Sequence, residues 1–360
     1  MWPSDSDCKS VSHVTISTNQ ISNTIPYDLM PQLSDYRNMD WTARPVDAPQ
    51  LDRAARIAAC AMPLESREAH AIQLLEGFAA RRYDDDFLIG LFDDRDWLRG
   101  AAFWQPLPGR VAVVWQPQLS ADWHLPDGEH KIEPQNDASI YMSAISAIFA
   151  EVNRHIRPHR VRVSQILLEN DEETIVRQTL EGCSYQRLAE LKYLIAERQI
   201  FPREDPAIEL QFVPYTETDP AEFAALVERT YIGTLDCPLL DGVRAMDDVF
   251  ESYRHGSDHD PEIWFRIQHQ GEDIGVLIMT EYKSAGQMEL IYMGVVQEHR
   301  GEGFGVLIAK YAQWVARTRS FAQLITAVDQ SNGPAIKMYA IAGYNPWDRR
   351  VAYIHVFPND

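Results

Sequence analysis

Cysteine is scarce in this sequence, and its placement excludes two common kinds of site. The 360 residues contain four cysteines, Cys8, Cys60, Cys183 and Cys237, which lie far apart and form no C-x-x-C pair. This spacing argues against a zinc site and against a disulfide framework, and it fits a reducing cytoplasm. We therefore predict a cytoplasmic protein without a metal, in which each cysteine is a small buried apolar residue.

Long apolar runs are also missing. No stretch approaches the roughly 18 uninterrupted apolar residues of a membrane span, so no membrane association is expected. The first 26 residues have no apolar core bounded by basic residues and make a poor signal peptide. Because residues 1–40 are polar and rich in serine, threonine and asparagine, we interpret them as a flexible N-terminal lead-in.

Positive charge is in short supply. The chain has 33 Lys and Arg residues against 53 Asp and Glu residues, a formal net charge of −20 at pH 7. A field of that sign repels phosphate backbones and attracts cations, so we expect no nucleic-acid partner and favour a small or cationic amine as a ligand. The same charge is sufficient to explain solubility, and that simpler interpretation stays open.

Two halves of the chain repeat one order of predicted elements. Length alone favours two domains of about 150 residues. Residues 41–200 and 205–360 each begin with a strand and a helical region, continue with three strands and a helix, and end with a strand, a helix and a strand. A linker rich in proline and charge separates them near 200–206. The segments 167–182 and 328–343 also align without a gap, which predicts a tandem duplication.

An arginine and three alternating glycines stand between a strand pattern and a helix pattern. The segment Arg300–Gly305 reads RGEGFG. A Walker P-loop would end in Gly-Lys-Ser/Thr, which is absent, and a G-x-G-x-x-G fingerprint would need glycine where Val306 stands. The remaining interpretation is a strand–loop–helix junction whose backbone amides face a pyrophosphate, with Gly303 and Gly305 permitting close approach. Such local charge lets an acidic protein hold a polyanion.

Two motifs in the C-terminal half resemble those of the GNAT (GCN5-related N-acetyltransferase) superfamily. Arg300-x-x-Gly303-x-Gly305, after the strand pattern MELIYMGVV, is similar to its R/Q-x-x-G-x-G/A signature. The segment VDQSNGPAIKMYAIAGY resembles its later V-D-x-x-N-x-x-A-x-x-x-Y-x-x-x-G-F/Y motif. The resemblance covers about 208–358, whereas residues 41–200 share only the order of elements. It implies an α+β fold of two tandem GNAT-like domains, each a mixed, mostly antiparallel sheet flanked by helices.

The resemblance implies one active domain and one degenerate copy. Superfamily members use acetyl-CoA as co-substrate, so residues 205–360 are expected to move an acetyl group to an amine by direct transfer in a ternary complex. Residues 41–200 are expected to be a degenerate copy, since the segment after 111–116 has one glycine and no R-x-x-G-x-G. In the ungapped alignment Gln178 stands opposite Tyr339 and Asp171 opposite Asn332.

The resemblance also implies roles for individual residues. The cofactor-binding positions are Met293, Val295, Arg300, Gly301, Gly303, Phe304, Gly305 and Asn332. Tyr339 is where the superfamily commonly has a tyrosine that protonates the departing thiolate. Glu289, eleven residues before Arg300, has the offset of a catalytic glutamate, and an apolar strand would raise the pKa of its carboxyl group. By spacing alone Tyr339 is also a core tyrosine, Asn332 a helix cap and Glu289 a solvent-facing residue.

The acceptor is less defined than the cofactor site. The segment 230–242 follows the first helix of this half, where the fold builds its acceptor pocket, and we name Tyr231, Asp236 and Cys237 as substrate contacts, with Asp236 pairing with an ammonium group. His255 and His259 lie in an acidic loop-like run without metal-site spacing. The alternative function is a non-catalytic acyl-CoA-binding or sensor protein. The acceptor itself is unidentified, and we expect a monomer or a homodimer.

Overall fold

A computed structural model describes most of the chain. It covers residues 41–120, 137–171, 174–240, 242–254 and 260–358. The predicted lead-in at 1–40 and the histidines His255 and His259 lie outside the described residues. Cys60, Cys183 and Cys237 have free thiols and are half-buried, which is less burial than expected. Within the described ranges no helix is long and apolar enough to cross a lipid bilayer.

Apart from the strand Gln118–Leu119 and the helix Met246–Arg254, which were not predicted, the order of strands and helices over the described residues is the predicted one. The strands are β1 Thr42–Pro45, β2 Leu88–Phe92, β3 Leu98–Leu107, β4 Val111–Val114, β5 Gln118–Leu119, β6 Val163–Leu168, β7 Gln186–Glu197, β8 Gln211–Pro214, β9 Trp264–His269, β10 Glu272–Tyr282, β11 Gln287–Val295, β12 Gln323–Asp329 and β13 Asn345–Val356. The helices are α1 Leu51–Ala58, α2 Arg67–Ala79, α3 Ala138–Ile156, α4 Thr174–Gly182, α5 Pro220–Tyr231, α6 Met246–Arg254, α7 Phe304–Thr318 and α8 Gly333–Ile341. The strands and flanking helices form the predicted α+β fold.

The chain folds into two compact units, each with more backbone contacts within itself than with the other. Unit 1 consists of Met1–Ala102 and Pro117–Glu151, and unit 2 of Phe103–Gln116 and Val152–Asp360. In unit 1, β1 pairs antiparallel with β2, and the first part of β3 pairs antiparallel with β5. Unit 2 contains strands of both predicted halves, so the two compact units do not correspond to the two repeats. The domain boundary near 200–206 therefore stays a prediction.

Unit 2 holds a long sheet in which the last strands of the two halves are exchanged. Beginning with the second part of β3, the strand order is β3-β4-β6-β13-β7-β12-β11-β10-β9-β8. The last strand of the N-terminal half, β7, lies between β12 and β13, and the last strand of the whole chain, β13, lies between β6 and β7. Each half therefore supplies a strand beside the penultimate strand of the other half.

The two halves also share a short parallel pairing that opens into a gap. In the N-terminal half β4 pairs with β6 over three residues from Val111↔Val163, and in the C-terminal half β11 pairs with β12 over three residues from Gln287↔Gln323. Beyond Glu289 and Ile325, β11 continues along β10 whereas β12 continues along β7. We call the opening between β11 and β12 the splay.

The ungapped alignment of the two halves is wrong at the end of the helix. After α8 a left-handed residue, Gly343 (φ +91°), precedes Tyr344, whose N–H donates to the carbonyl of Tyr339 at 3.0 Å. After α4 the left-handed residue is Ser184 (φ +67°), and Tyr185 donates to Leu180 at 2.9 Å. Tyr339 is therefore matched by Leu180 and not by the exposed Gln178. The N-terminal copy has a longer connection between strand and helix, which the ungapped alignment could not register.

Local sequence signals explain where the helices of the C-terminal half begin. Asp219 accepts hydrogen bonds from the N–H groups of Ala221 and Glu222, and Pro220 follows it in the first turn, as predicted. Asn332 caps α8 by accepting from Ala335 at 3.2 Å. The sequence reading missed α6, although Met246, Val249, Phe250 and Tyr253 recur at helical spacing within its nine residues.

Candidate active site

The glycine loop ends in a row of backbone amides without intramolecular acceptors among the described residues. Among the described residues no acceptor faces the N–H groups of residues 301–305, whereas the next amide, of Val306, donates to Gly303 at 3.1 Å. The first turn of any helix leaves such donors unpaired, and here the loop before α7 extends the series. The N-terminus of α7 also carries a partial positive charge. Such an arrangement can bind an anion through main-chain donors.

Glycine is required in this loop for two separate reasons. Gly301 (φ +87°) and Gly303 (φ +92°) adopt the left-handed conformation, and the space where a Cβ would stand is open for 4 Å around each. Gly305 serves a different purpose, because a Cβ there would lie 3.2 Å from Cγ of Met338 on α8. Two glycines therefore leave room in front of the amides, and the third lets α7 and α8 approach.

Phe304 fixes the start of α7 with its ring while leaving its amide free. The side chain is 6% exposed and packs on the ring of His269, with centroids 4.9 Å apart. Ile308, Ala309 and Ala312 continue the buried face of the helix in the same core cluster. Any contact of Phe304 with a cofactor thus comes from its N–H group.

Arg300 holds the loop in place through three carbonyl groups. Its guanidinium donates to the carbonyls of Val295 at 2.9 Å, Gly233 at 2.9 Å and Thr230 at 2.8 Å. Thr230 and Gly233 stand at the C-terminal end of α5, where carbonyl groups lack helical partners. The side chain of Arg300 therefore connects the glycine loop to α5, and these bonds use three of its five N–H donors.

The edge of β11 presents backbone groups to the splay. The N–H of Val296 donates to Ile274 on β10 at 2.9 Å, so the alternation of backbone groups along a strand turns those of Val295 and Met293 to the opposite side. The hydrogen bond from Arg300 to the carbonyl of Val295 is consistent with this orientation, because Arg300 is not part of β10. Beyond Glu289 no strand pairs with this edge of β11 among the described residues. The amide of Met293 therefore faces the opening, and its contact with an oxyanion stays a prediction.

Tyr339 lies at the vertex of the splay. Its side chain is 5% exposed, and its hydroxyl is hydrogen-bonded to Thr326. The hydroxyl of Thr326 in turn donates to the carbonyl of Leu290 at 2.9 Å. Leu290 and Thr326 are the first residues of β11 and β12 beyond the paired stretch. Burial raises the pKa of Tyr339 above its usual value, so the phenol keeps its proton at neutral pH.

Glu289 is the last residue of β11 that pairs with β12. It is half-buried, and its Oε2 accepts a hydrogen bond from the hydroxyl of Tyr282 at 2.8 Å. Burial raises the pKa of its carboxyl group, and the bond from Tyr282 opposes that rise. The direction is the one expected for a carboxylate on an apolar strand. The second oxygen, Oε1, accepts no hydrogen bond from the described residues and is the atom that is available to an acceptor.

Asp236 and Cys237 bind the loop after α5 to the end of β12. Oδ1 of Asp236 accepts from the N–H of Asp329 at 3.0 Å, and the N–H of Cys237 donates to Oδ2 of Asp329 at 3.2 Å. Burial, together with the charge of Asp329, raises the pKa of Asp236. Its charge acts on both Tyr292 and Tyr339, so this carboxylate lies near the splay. Burial raises the pKa of Cys237 to about 12, which keeps that thiol neutral.

Tyr231 belongs to a group of tyrosines that sequence reasoning did not assemble. Its hydroxyl is 3.3 Å from that of Tyr253 on α6, and its ring meets Tyr292 of β11 edge-on at 5.3 Å. Tyr292 is hydrogen-bonded to Thr230 at 2.7 Å. Arg244 lies beside this group, and burial lowers the pKa of its guanidinium. Recognition of α6 was the missing signal, because Tyr253 reaches the site only from that helix.

Comparison with known proteins agrees with this geometry. Residues 230–344 match the model of the acetyltransferase (GNAT) family. A GCN5-related N-acetyltransferase from Sphaerobacter thermophilus has a similar fold, with 16% identity and a TM-score of 0.52 over 89% of this chain and 97% of that chain. A glucosamine N-acetyltransferase region of a fungal multi-domain GH3 beta-N-acetylglucosaminidase also has a similar fold. Its sequence identity is 12% and its TM-score 0.51, over 88% of this chain and 38% of that chain. No curated protein sequence matches.

These likenesses support the fold. At such identities a similar structure shows the fold alone, while the match at 230–344 covers both the splay and the glycine loop. Residues 230–344 are thus similar to a family of acetyltransferases, and whether this chain transfers an acetyl group has to be argued from the site. In the described part of the chain no group of three metal-ligating side chains comes together.

Proposed function

We propose that the chain is an acetyl-CoA-dependent N-acyltransferase with one working site in residues 205–360. It transfers the acetyl group directly to a small or cationic amine in a ternary complex. The observation that carries this proposal is the row of amides at 301–305 standing at the open end of the splay. The amide row offers hydrogen-bond donors to a diphosphate, and the splay offers space for an extended chain with a reactive end.

The amide row fits the diphosphate of coenzyme A better than side chains would. The chain has a net charge of −20, so a polyanion needs compensation close to its oxygens. Backbone donors and the start of α7 supply it without adding a basic side chain. Left-handed Gly301 and Gly303 keep the approach clear. Arg300 contributes by fixing the loop and so lowers the entropy that binding must cost.

Acetyl-CoA supplies an acetyl group activated as a thioester. Its transfer forms a bond from the amine nitrogen to the acetyl carbon and breaks the bond from that carbon to sulfur. The nitrogen loses one proton and the sulfur gains one, so the chain needs a proton acceptor and a proton donor in different places. It also needs an N–H group for the carbonyl oxygen, and Met293 offers one on the open edge of β11.

Glu289 and Tyr339 divide the two proton transfers. Oε1 of Glu289 takes the proton from the amine, while Tyr282 holds Oε2 and fixes the orientation of the carboxylate. Its raised pKa brings it closer to neutrality, where a base is most effective. Tyr339 gives its proton to the sulfur at the vertex, where Thr326 orients the phenol.

The N-terminal half is proposed to be a degenerate copy without acetyl transfer of its own. Its strands open in the same way, but the position of Tyr339 is occupied by Leu180, which cannot donate a proton and is 2% exposed. Asp171 near the matching loop is held by Arg187 at 2.7 Å and Tyr353 at 3.1 Å. The copy therefore has the scaffold of a site and lacks its chemistry.

An acetyl-transfer assay with Tyr339→Phe tests the proposal against a non-catalytic acyl-CoA sensor. Coenzyme A release is measured with a thiol reagent, and the N-acetylated amine is identified by mass spectrometry. We expect the wild type to form both products, and Tyr339→Phe to lose about 100-fold in kcat while calorimetry finds unchanged affinity for acetyl-CoA. Thiol release without an N-acetylated product, or equal kcat in the variant, would contradict the proposed mechanism. Binding without any turnover would favour the sensor.

A further inference from the structure

One face of β12 beside the splay is open. Leu324, Thr326 and Val328 are at most 3% exposed, whereas Ile325 is half-buried and Ala327 is exposed. Alternate residues of a strand point to opposite faces, so one face packs on the core and the other faces solvent. Glu289 pairs with Ile325 and shares this open face.

The N-terminal half contributes a side chain to the same face. Tyr193 of the exchanged strand β7 pairs with Ala327, and Ile195 pairs with Ile325, so Tyr193 points to the side of Glu289. Burial and the charge of Glu289 raise the pKa of Tyr193 to about 12, which places the two groups within electrostatic reach. An aromatic ring thus stands beside the proposed base, and it comes from the half that lacks a site of its own.

Trp347 extends this aromatic surface. It is the extra residue of a bulge in β13, between Pro346, which pairs with Leu194, and Asp348, which pairs with Tyr193. Its ring meets that of Tyr193 edge-on with centroids 6.0 Å apart, and it is 55% exposed. Bulges commonly redirect a side chain next to an active site. We call Tyr193 and Trp347 the aromatic wall.

The loop after α5 is apolar where it faces solvent. Its exposed large side chains are Ile232 (58%), Leu235 (51%), Leu239 (52%) and Leu240 (37%). Asp236 attaches this loop to Asp329, two residues along β12 from Ala327. Four exposed aliphatic side chains within nine residues exceed what a solvated loop needs, and such clusters mark ligand or partner sites.

We propose that the acceptor is a primary amine on an aromatic or alkyl skeleton. Its nitrogen lies at Glu289, and its apolar body lies between the aromatic wall and the loop 232–240. This inference rests on the proposed function and deepens it by naming the substrate class. The N-terminal half then has a role in acceptor recognition through Tyr193, which the order of elements alone did not assign.

The surroundings disfavour the two most obvious polar acceptors. A polyamine needs a second carboxylate at a distance from Glu289. Asp348 beside the wall is paired with Arg350 at 3.0 Å, and burial raises the pKa of Asp236, which disfavours its charged form. Asp329 is likewise occupied by Ser331 at 2.8 Å and by Cys237. An amino sugar needs several hydrogen-bonding groups along its ring, and leaving its hydroxyls against aliphatic side chains is costly. An apolar body instead gains from burial there.

Matched amines test the acceptor class. Acetyl transfer is measured for 2-phenylethylamine and hexylamine against putrescine and glucosamine, and calorimetry measures amine binding to enzyme saturated with coenzyme A. We expect kcat/KM for 2-phenylethylamine to exceed those of putrescine and glucosamine at least about tenfold. Trp347→Ala should raise KM for 2-phenylethylamine about tenfold with KM for acetyl-CoA unchanged. Trp347→Phe should restore most of the affinity.

The control is Trp97→Ala, which removes another tryptophan of similar exposure, 59%, from the turn before β3. It should leave both KM values unchanged. Preference for putrescine or glucosamine, or an unchanged KM in Trp347→Ala, would overturn the inference while leaving the proposed function standing. If acetyl-CoA does not bind, the proposed function fails. Calorimetry of the four amines with the protein alone then still decides whether the surface between the aromatic wall and the loop 232–240 prefers an apolar ligand. If acetyl-CoA binds but no amine is acetylated, the same binding comparison decides.

Discussion

The two halves of this chain share a scaffold and differ at the few positions that we propose for the chemistry. Both contain a three-residue parallel pairing that opens into a gap, followed by a helix and a strand that crosses to the other half. At the helix end the C-terminal half has Tyr339 and the N-terminal half has Leu180. Both are buried, so packing is satisfied in each half and only one can donate a proton.

The comparison shows that both halves have the opening between strands, whereas the proposed site depends on particular residues at the ends of those strands. The amide row, the vertex tyrosine and the proposed base Glu289 all stand where a strand ends or parts from its neighbour. Function placed on such junctions can be lost without disturbing the sheet. The remaining half is free to serve another purpose, here a strand that carries Tyr193.

The largest effect is expected from Gly303→Val. A branched side chain at φ +92° is strained and fills the space before the amide row. Acetyl-CoA affinity should fall about 100-fold or more, as measured by calorimetry. Gly271→Val is the matched control, because Gly271 has φ +86° and open space around it but lies in the turn between β9 and β10. Equal loss of affinity in both variants would mean that strain alone, and not the amide row, explains the result.

Glu289→Gln removes the proposed base while keeping an acceptor for Tyr282. We expect kcat/KM to fall about 100-fold, with little change in acetyl-CoA affinity. In the wild type the rate should rise with pH as Glu289 loses its proton, at a pH above the usual carboxyl range because burial raises its pKa. The variant should lack that rise. A wild-type profile that is retained in Glu289→Gln would transfer the role of base to another group, with Asp236→Asn as the next variant.

Leu180→Ala tests whether the N-terminal position that matches Tyr339 serves stability alone. Removing a buried leucine leaves a cavity, so the free energy of unfolding should fall by about 2–5 kcal/mol, as measured by denaturant titration. The kcat of the remaining folded enzyme should be unchanged, since this position carries no chemistry. Loss of kcat at full cofactor binding would show that the N-terminal gap takes part in turnover.

The smallest effect concerns stability and pH. A carboxyl group whose pKa is raised by folding binds its proton more tightly in the folded state, so stability falls as pH rises from the usual carboxyl value to the raised one. Glu289→Gln should therefore gain stability relative to wild type as pH increases through that window. Thermal unfolding at several pH values measures the difference. A constant difference across the window would contradict the raised pKa.

Sequence reasoning recovered the local parts of this structure and missed its non-local parts. The cap at Asp219 and the left-handed Gly343 depend on neighbouring residues, so their pattern was readable. The exchange of β7 and β13 depends on which distant edges meet, and no periodicity encodes that. Arg300 matched a motif, yet its three carbonyl partners became visible only when α5 lay beside it. The longer connection before α4 hid Leu180 for the same reason.

Hydrogen exchange of the backbone amides tests the central claim most directly. Peptides spanning residues 301–306 should exchange quickly in the free protein, because the N–H groups of residues 301–305 have no acceptor among the described residues. On saturation with acetyl-CoA their exchange should slow more than that of any peptide between β4 and α3. If acetyl-CoA binds and residues 301–306 show no added protection, main-chain amides at the start of α7 do not hold the diphosphate.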